Sequence, residues 1–268
     1  MKTYFKLELK RALFSWKTII SFIAILISLL IPYIDEVRFH LTELDGIEYF
    51  LRVTGMSYFV FIGPIIAGVV YSTSVITDKK TGFMEKLLEI IDVKTYYKVK
   101  LVVNALVNSI IFLFSHLIII IYFIIIYGVN NRGFKDVSAG AFVIFDDISK
   151  ISYVLLICIV IPISSVTFST FILGITTITN KKFVGYILPV FYVILTQVLF
   201  EIWQFNNIID LNLGKLFTIE LYSGVNLLNT LIYNLILMLI GVCLLYKFCY
   251  KRTLSLYGKK ELKLDVIQ

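Results

Sequence analysis

The sequence predicts an all-α membrane protein with six transmembrane helices, and three observations predict it. Hydrophobic residues make up 59% of the 268 and charged residues only 16%, whereas an ordinary soluble domain is about a quarter charged. Six stretches hold no Asp, Glu, Lys or Arg: Thr18–Ile34, Val53–Thr77, Leu101–Asn131, Ile151–Asn180, Phe183–Phe200 and Leu221–Tyr246. A helical span needs roughly 20 mainly apolar residues. Inside these stretches the apolar residues run on without alternating. That rejects a β-barrel, the other fold that satisfies its backbone in lipid.

The first element is an N-terminal helix ahead of the spans. Phe5, Leu9, Ala12 and Trp16 share one helical face, with Lys6, Lys10 and Lys17 to one side. Either the helix lies in the membrane interface with its lysines toward lipid phosphates, or the lysines only anchor the topology. No small-residue cleavage site follows, so a signal peptide is not expected. The spans are placed at 18–34, 55–77, 101–127, 153–179, 183–202 and 223–246, within a single membrane domain over 1–268. Pro64, Pro162 and Pro189 fall inside spans, where kinks or breaks are expected. Trp203 and Glu201 close the fifth span at its outer surface.

Charge sets the orientation. Segments 1–17, 78–100, 180–182 and 247–268 carry nineteen Lys and Arg, whereas 35–52, 132–150 and 201–220 carry six. By the positive-inside rule the first group, with both termini, is cytoplasmic. The net charge of +7 arises from this asymmetry. Its counterpart is anionic membrane lipid, and no nucleic acid is needed to explain it.

Chemistry-bearing motifs are missing. There is no GxxxxGK[ST] phosphate loop, since Gly128–Lys135 lacks the lysine after its second glycine. There is no HExxH either, because His40 and His116 stand apart. Ser115 and His116 are adjacent and therefore point about 100° apart on a helix, the wrong arrangement for a nucleophile and its base. Cys158, Cys243 and Cys249 form no CxxC pair. The chain is expected not to be an enzyme, to bind no metal or cofactor itself and to lack an ATPase site.

The segment 77–100 after the second span is the most informative. Gly82 permits a sharp exit from the span. From Phe83 a short amphipathic helix fits, with Phe83, Leu87 and Ile90 on one side and Glu85, Glu89 and Asp92 on the other. It is either a docking element for a cytoplasmic partner or a cap on the bundle. Within the third span Asn104, Asn108, Ser115 and Tyr122 share a face. With Gln197 they are candidates for a substrate path, the alternative being hydrogen bonds between helices. Ser165, Ser169, Thr170 and Gly174 in the fourth span read as small residues for close helix packing, and His116 as a packing residue.

The order of residues in 78–100 resembles the permease subunits of ABC-2 type transporters. The family pattern matches Asp78, Gly82, Glu85, Leu87 and Leu88, with Lys94 and Lys100 at its basic positions. Ile91 stands where the family usually has proline. Six spans, an interfacial N-terminal helix and small outer loops extend the resemblance over nearly the whole chain, and Gln204–Tyr222 is similar to the family's short re-entrant outer helices. The resemblance implies that residues 82–92 form a coupling helix docked on a separate ATP-binding subunit, with Asp78, Gly82, Phe83, Glu85, Leu87, Leu88, Ile91, Lys94 and Lys100 at that contact. It also implies two copies of that subunit carrying ATP and Mg, and a second permease half, identical or homologous. The cargo expected is an amphipathic peptide, drug or lipid-like molecule exported across the cytoplasmic membrane of a bacterium, with a role in resistance or immunity. Export of a lipid-linked polysaccharide, and a non-transporting immunity protein that sequesters an antimicrobial, are the alternatives.

Overall fold

The structure, a computed structural model, describes residues 2–37, 44–129, 149–203, 211–218 and 227–255. His40, most of Gly128–Lys135 and the expected start of the sixth span at 223 lie outside them. Every element among the described residues is helical. Six helices are long and apolar enough to cross a membrane: Trp16–Ile34, Phe59–Lys80, Val93–Tyr127, Lys150–Thr179, Val184–Ile202 and Leu228–Ser255. The chain is therefore an all-α, multi-pass membrane protein.

Helix α1 (Lys2–Leu13) lies against α7 (Val93–Tyr127), and α2 (Trp16–Val37) forms the first span. The α1 face turned inward carries Tyr4, Glu8 and Ala12, while Trp16 is 77% exposed. The expected stripe of Phe5, Leu9, Ala12 and Trp16 is thus displaced by one residue. A buried acid, not apolar area alone, sets the rotation.

The second crossing differs most from expectation. The expected span 55–77 corresponds to Phe59–Lys80, which is divided into α4 (Phe59–Val69) and α5 (Ser74–Lys80) and is preceded by α3 (Gly46–Met56). Asp45 caps α3 in a full capping box with Glu48. Ser57 ends it, donating to the Thr54 carbonyl at 2.8 Å. The second interruption holds Ser72 and Thr73, whose hydroxyls bond neighbouring elements. Ser72 donates to the Gly185 carbonyl at 3.3 Å, and Lys17 reaches Thr73 Oγ1 at 2.7 Å. Side-chain hydroxyls offer the backbone an alternative to helical bonding, and the crossing breaks at them. The helices run through Pro32, Pro64, Pro162 and Pro189.

The pieces run antiparallel to α7 along its length. Tyr49 stacks on Tyr127 at 4.2 Å, Phe59 lies 6.0 Å from Phe112 midway, and Asp78 meets Lys100 at the far end. Gly46 makes the upper contact close: a Cβ there would sit 2.5 Å from the Phe123 carbonyl oxygen. The fourth span, α8 (Lys150–Thr179), packs centrally against α4, α7 and the last helix. The fifth begins as α9 (Val184–Val193) and widens to a π turn at Ile194–Leu199. The short α10 (Gly214–Phe217) turns back into the bundle, where buried Phe217 meets Phe112 at 5.8 Å and Phe59 at 6.4 Å. The last helix, α11 (Leu227–Cys243), continues through a second π turn at Leu244–Tyr250. It crosses α8 where Gly241 and Gly174 face each other.

Candidate functional site at the basic end

At the end holding α1 and the connection 81–92, four charged side chains converge from three elements. Lys100 Nζ lies 2.6 Å from both Glu8 Oε1 and Asp78 Oδ2. Arg11 Nη2 lies 2.8 Å from Glu8 Oε2 and 2.9 Å from Asp78 Oδ1. Tyr96 donates to Asp78 Oδ2 at 2.9 Å, Tyr71 donates to Glu8, and the rings of Tyr71 and Tyr96 flank the Lys100 ammonium at 5.5 Å. Two acids and two bases neutralise one another inside the fold, with only Arg11 reaching out. Burial raises the Glu8 carboxyl's pKa, but the Lys100 ammonium and its hydrogen bond, the Tyr71 hydroxyl and Arg11 outweigh it. The net pKa lies below the ordinary value. Burial lowers that of Arg11, and Glu8 and Asp78 more than reverse it.

This corrects two assignments. Asp78 and Lys100, implied as contacts of an ATP-binding subunit, are instead fully buried within the chain. They fasten α5 and α7 to α1. Glu8 and Arg11 were missed by sequence reasoning. The available signal was Glu8 four residues from both Tyr4 and Ala12, an acid on the stripe that packs inward.

Between α5 and α7 the chain turns at Gly82, whose φ of 69° is left-handed and favours glycine. Helix α6 (Phe83–Leu88) follows and is shorter than 82–92. Asp92 instead caps α7, accepting from Thr95 N–H at 3.0 Å, so α7 begins at Val93 and not at 101. The face of α6 differs from the expected Phe83–Leu87–Ile90 side. Met84 is 1% exposed and pins the helix, and Leu87, Leu88 and Ile91 pack partly beneath it. Phe83 is 39% and Ile90 82% exposed, beside exposed Glu85 and Glu89. The Arg11 guanidinium stands 5.2 Å over the Phe83 ring. Lys94 is exposed one turn further on. Below α6 a cavity of about 420 Å³ opens toward α8 and α11, lined by Lys79, Glu85, Thr177, Asn180, Arg252 and Thr253.

The proposed path residues do not form one surface. Asn104 donates to Ser169 Oγ at 2.9 Å and Thr170 Oγ1 at 3.2 Å, tying α7 to α8. Asn108 bonds back to Asn104, and Ser115 donates to the Ile111 carbonyl at 2.7 Å. All three are fully buried, so within one copy of the chain they face no path. Tyr122 is exposed beside Tyr33, at 5.9 Å. Gln197 sits elsewhere, in the π turn of the fifth span, donating to the Val60 carbonyl at 3.0 Å. His116 Nδ1 is 2.7 Å from the Phe112 carbonyl among the Phe50 and Phe59 rings. A second interhelical knot escaped sequence reasoning: Thr167 donates to Asn234 Oδ1 at 2.6 Å, and Asn234 donates to Ser164 Oγ at 3.2 Å.

No His/Cys/Asp/Glu group among the described residues could hold a metal ion. Compared with protein-family models, curated proteins and solved structures, the chain matches none.

Proposed function

We propose that this chain is the transmembrane permease subunit of an ATP-driven exporter of the ABC-2 type, lying in a bacterial cytoplasmic membrane with its basic end and both termini inside. The observation that carries the reading is α6. It joins the second and third crossings at the basic end and sits on residues that match the family pattern. It presents Phe83 and Glu85 outward, and exposed Glu89 and Ile90 follow directly after its end. Exposed apolar side chains rimmed by charge, outside the spans, are what a docking element offers a partner.

In this reading a separate subunit, present twice, binds ATP with Mg and grips α6. Movement of that subunit pushes on Phe83, Glu85 and Ile90. Met84 and the Glu8–Arg11–Asp78–Lys100 cluster carry the push to α5, α7 and α1 together, because a buried ion network is costly to pull apart. A second permease half, identical or homologous, completes the complex. The amphipathic cargo, a peptide, drug or lipid-like molecule, passes between halves, since the polar face of α7 is closed within one copy.

The test is a pull-down from native membranes in mild detergent with ATPase activity assayed in the eluate. Wild type is expected to bring down an ATP-hydrolysing subunit, and Glu85→Lys and Ile90→Asp to lose it while remaining folded. Equal capture by all three removes α6 from the contact. Absence of ATPase activity with folded wild type rejects the permease and favours the sequestering immunity protein.

A further inference from the structure

On the flank of the bundle, α7 and the end of the last helix leave a groove of about 170 Å³. Its walls change character along α7. Lys94 and Lys98 stand at the rim, exposed and one helical turn apart on α7. Leu101, Val242 and Leu245 form the deeper part, with Tyr246 and Tyr250 stacked at 5.1 Å along one side. The groove lies where the last helix widens into its π turn, a distortion common at functional positions. Neither lysine makes an ion pair among the described residues. Asp92, close to Lys94, is engaged in capping Thr95.

We infer that this groove is a binding site for one anionic phospholipid, with its phosphate headgroup on Lys94 and Lys98 and the first part of an acyl chain on Leu101, Val242 and Leu245. Charge decides the headgroup, because two exposed ammonium groups one turn apart at the basic end of the bundle attract anionic lipid. Position decides the chain, because Leu101 and Val242 lie within candidate spans and are partly exposed on the flank, with buried Leu245 as the floor. Tyr246 and Tyr250 supply the amphipathic rings favoured at that depth. The volume admits part of a lipid only, so the site selects by headgroup. The inference rests on the multi-pass membrane reading and not on the transporter.

The full chain, purified in detergent, is titrated with phosphatidylglycerol, phosphatidylcholine and soluble glycerol phosphate, with bound lipid counted by native mass spectrometry. Wild type is expected to retain phosphatidylglycerol in preference to phosphatidylcholine, with glycerol phosphate a weak competitor. About fivefold per lysine makes the Lys94→Gln/Lys98→Gln double variant roughly thirtyfold weaker. Val242→Trp, which fills the groove without changing charge, is expected to lose retention as well. Lys6→Gln/Lys10→Gln, with the same charge change elsewhere, keeps it. Equal retention of both lipids, full retention by the double variant, or equal loss in the Lys6/Lys10 control overturns the site. A dimer that Val242→Trp dissociates without any lipid preference also overturns it, assigning the groove to a second copy. Melting temperatures without lipid establish that each variant is folded.

Discussion

Two buried ionic groups, one at each end of the bundle, solve the same problem differently. At the basic end Glu8, Arg11, Asp78 and Lys100 come from three elements and balance two charges against two. At the opposite end Lys150, at the start of α8, reaches Asp45 at 2.7 Å and Glu48 at 2.9 Å. Both acids belong to one capping box, whose backbone donors hold Asp45 in place whatever Lys150 does. The first group ties three elements together and holds one local pair, Glu8–Arg11 within α1, whereas the second adds one long-range partner to a local motif. Removing Glu8 should therefore cost far more than removing Lys150, because only long-range pairs to Asp78 then hold Arg11 and Lys100.

The largest effect is expected for Glu8→Ala. It leaves Lys100 and Asp78 with Arg11 as the excess charge and strips Tyr71 of its acceptor. Breaking a buried ionic group typically costs about 3–5 kcal/mol, read as a fall in thermal stability in detergent and in folded yield. Lys150→Met comes next, at about 1–3 kcal/mol. Lys150 is 8% exposed and the capping bonds persist, so denaturation should show a clear but smaller shift. If Lys150→Met proves as costly as Glu8→Ala, the contrast between local and long-range support fails.

Asp45→Asn sharpens the comparison. Asparagine caps a helix about as well as aspartate, so the cap survives and only the ionic part is lost. The expected loss is smaller than for Lys150→Met, because Lys150 keeps Glu48 at 2.9 Å, and helicity by circular dichroism should not change. Smallest near neutrality is the effect of pH. Because the folded Glu8 pKa is depressed, its contribution is fully present above the ordinary glutamate range and is lost as pH falls through the folded value. Melting temperature should hold from neutral pH down to about the ordinary glutamate value of 4.5 and then decline. Glu8→Gln should show a shallower acid decline than wild type. A parallel decline in both removes Glu8 from the acid response.

The spans were legible because lipid tolerates few charges, so charge-free runs mark helices directly. The charge-free runs that end at Asn131 and Asn180 overlie helices that end at Tyr127 and Thr179. Helix α3 was not legible ahead of the second crossing, because Arg52 interrupts the apolar run. The Asp45-x-x-Glu48 pattern of its cap was nevertheless there to be read. At the candidate site, Gly82 and the short helix after it were visible in local residue types. Met84 as its anchor was not, since a six-residue helix shows too little periodicity to choose between faces. Asn104 was visible as an intramembrane polar group, but its partners Ser169 and Thr170 lie about 65 residues away.

By itself the sequence determined the class of protein, the number of stretches apolar enough to cross a membrane and the sign of charge at each end. Each of these depends on transferring residues between water and lipid, which acts residue by residue. Tertiary structure alone decided that Asp78 and Lys100 face inward to Glu8 and Arg11, that the chain breaks at Ser57 and again at 70–73 within the second crossing, and that Phe217 returns to the middle of the bundle. Those outcomes depend on which charges and hydroxyls find partners, and a partner distant in sequence leaves no local trace.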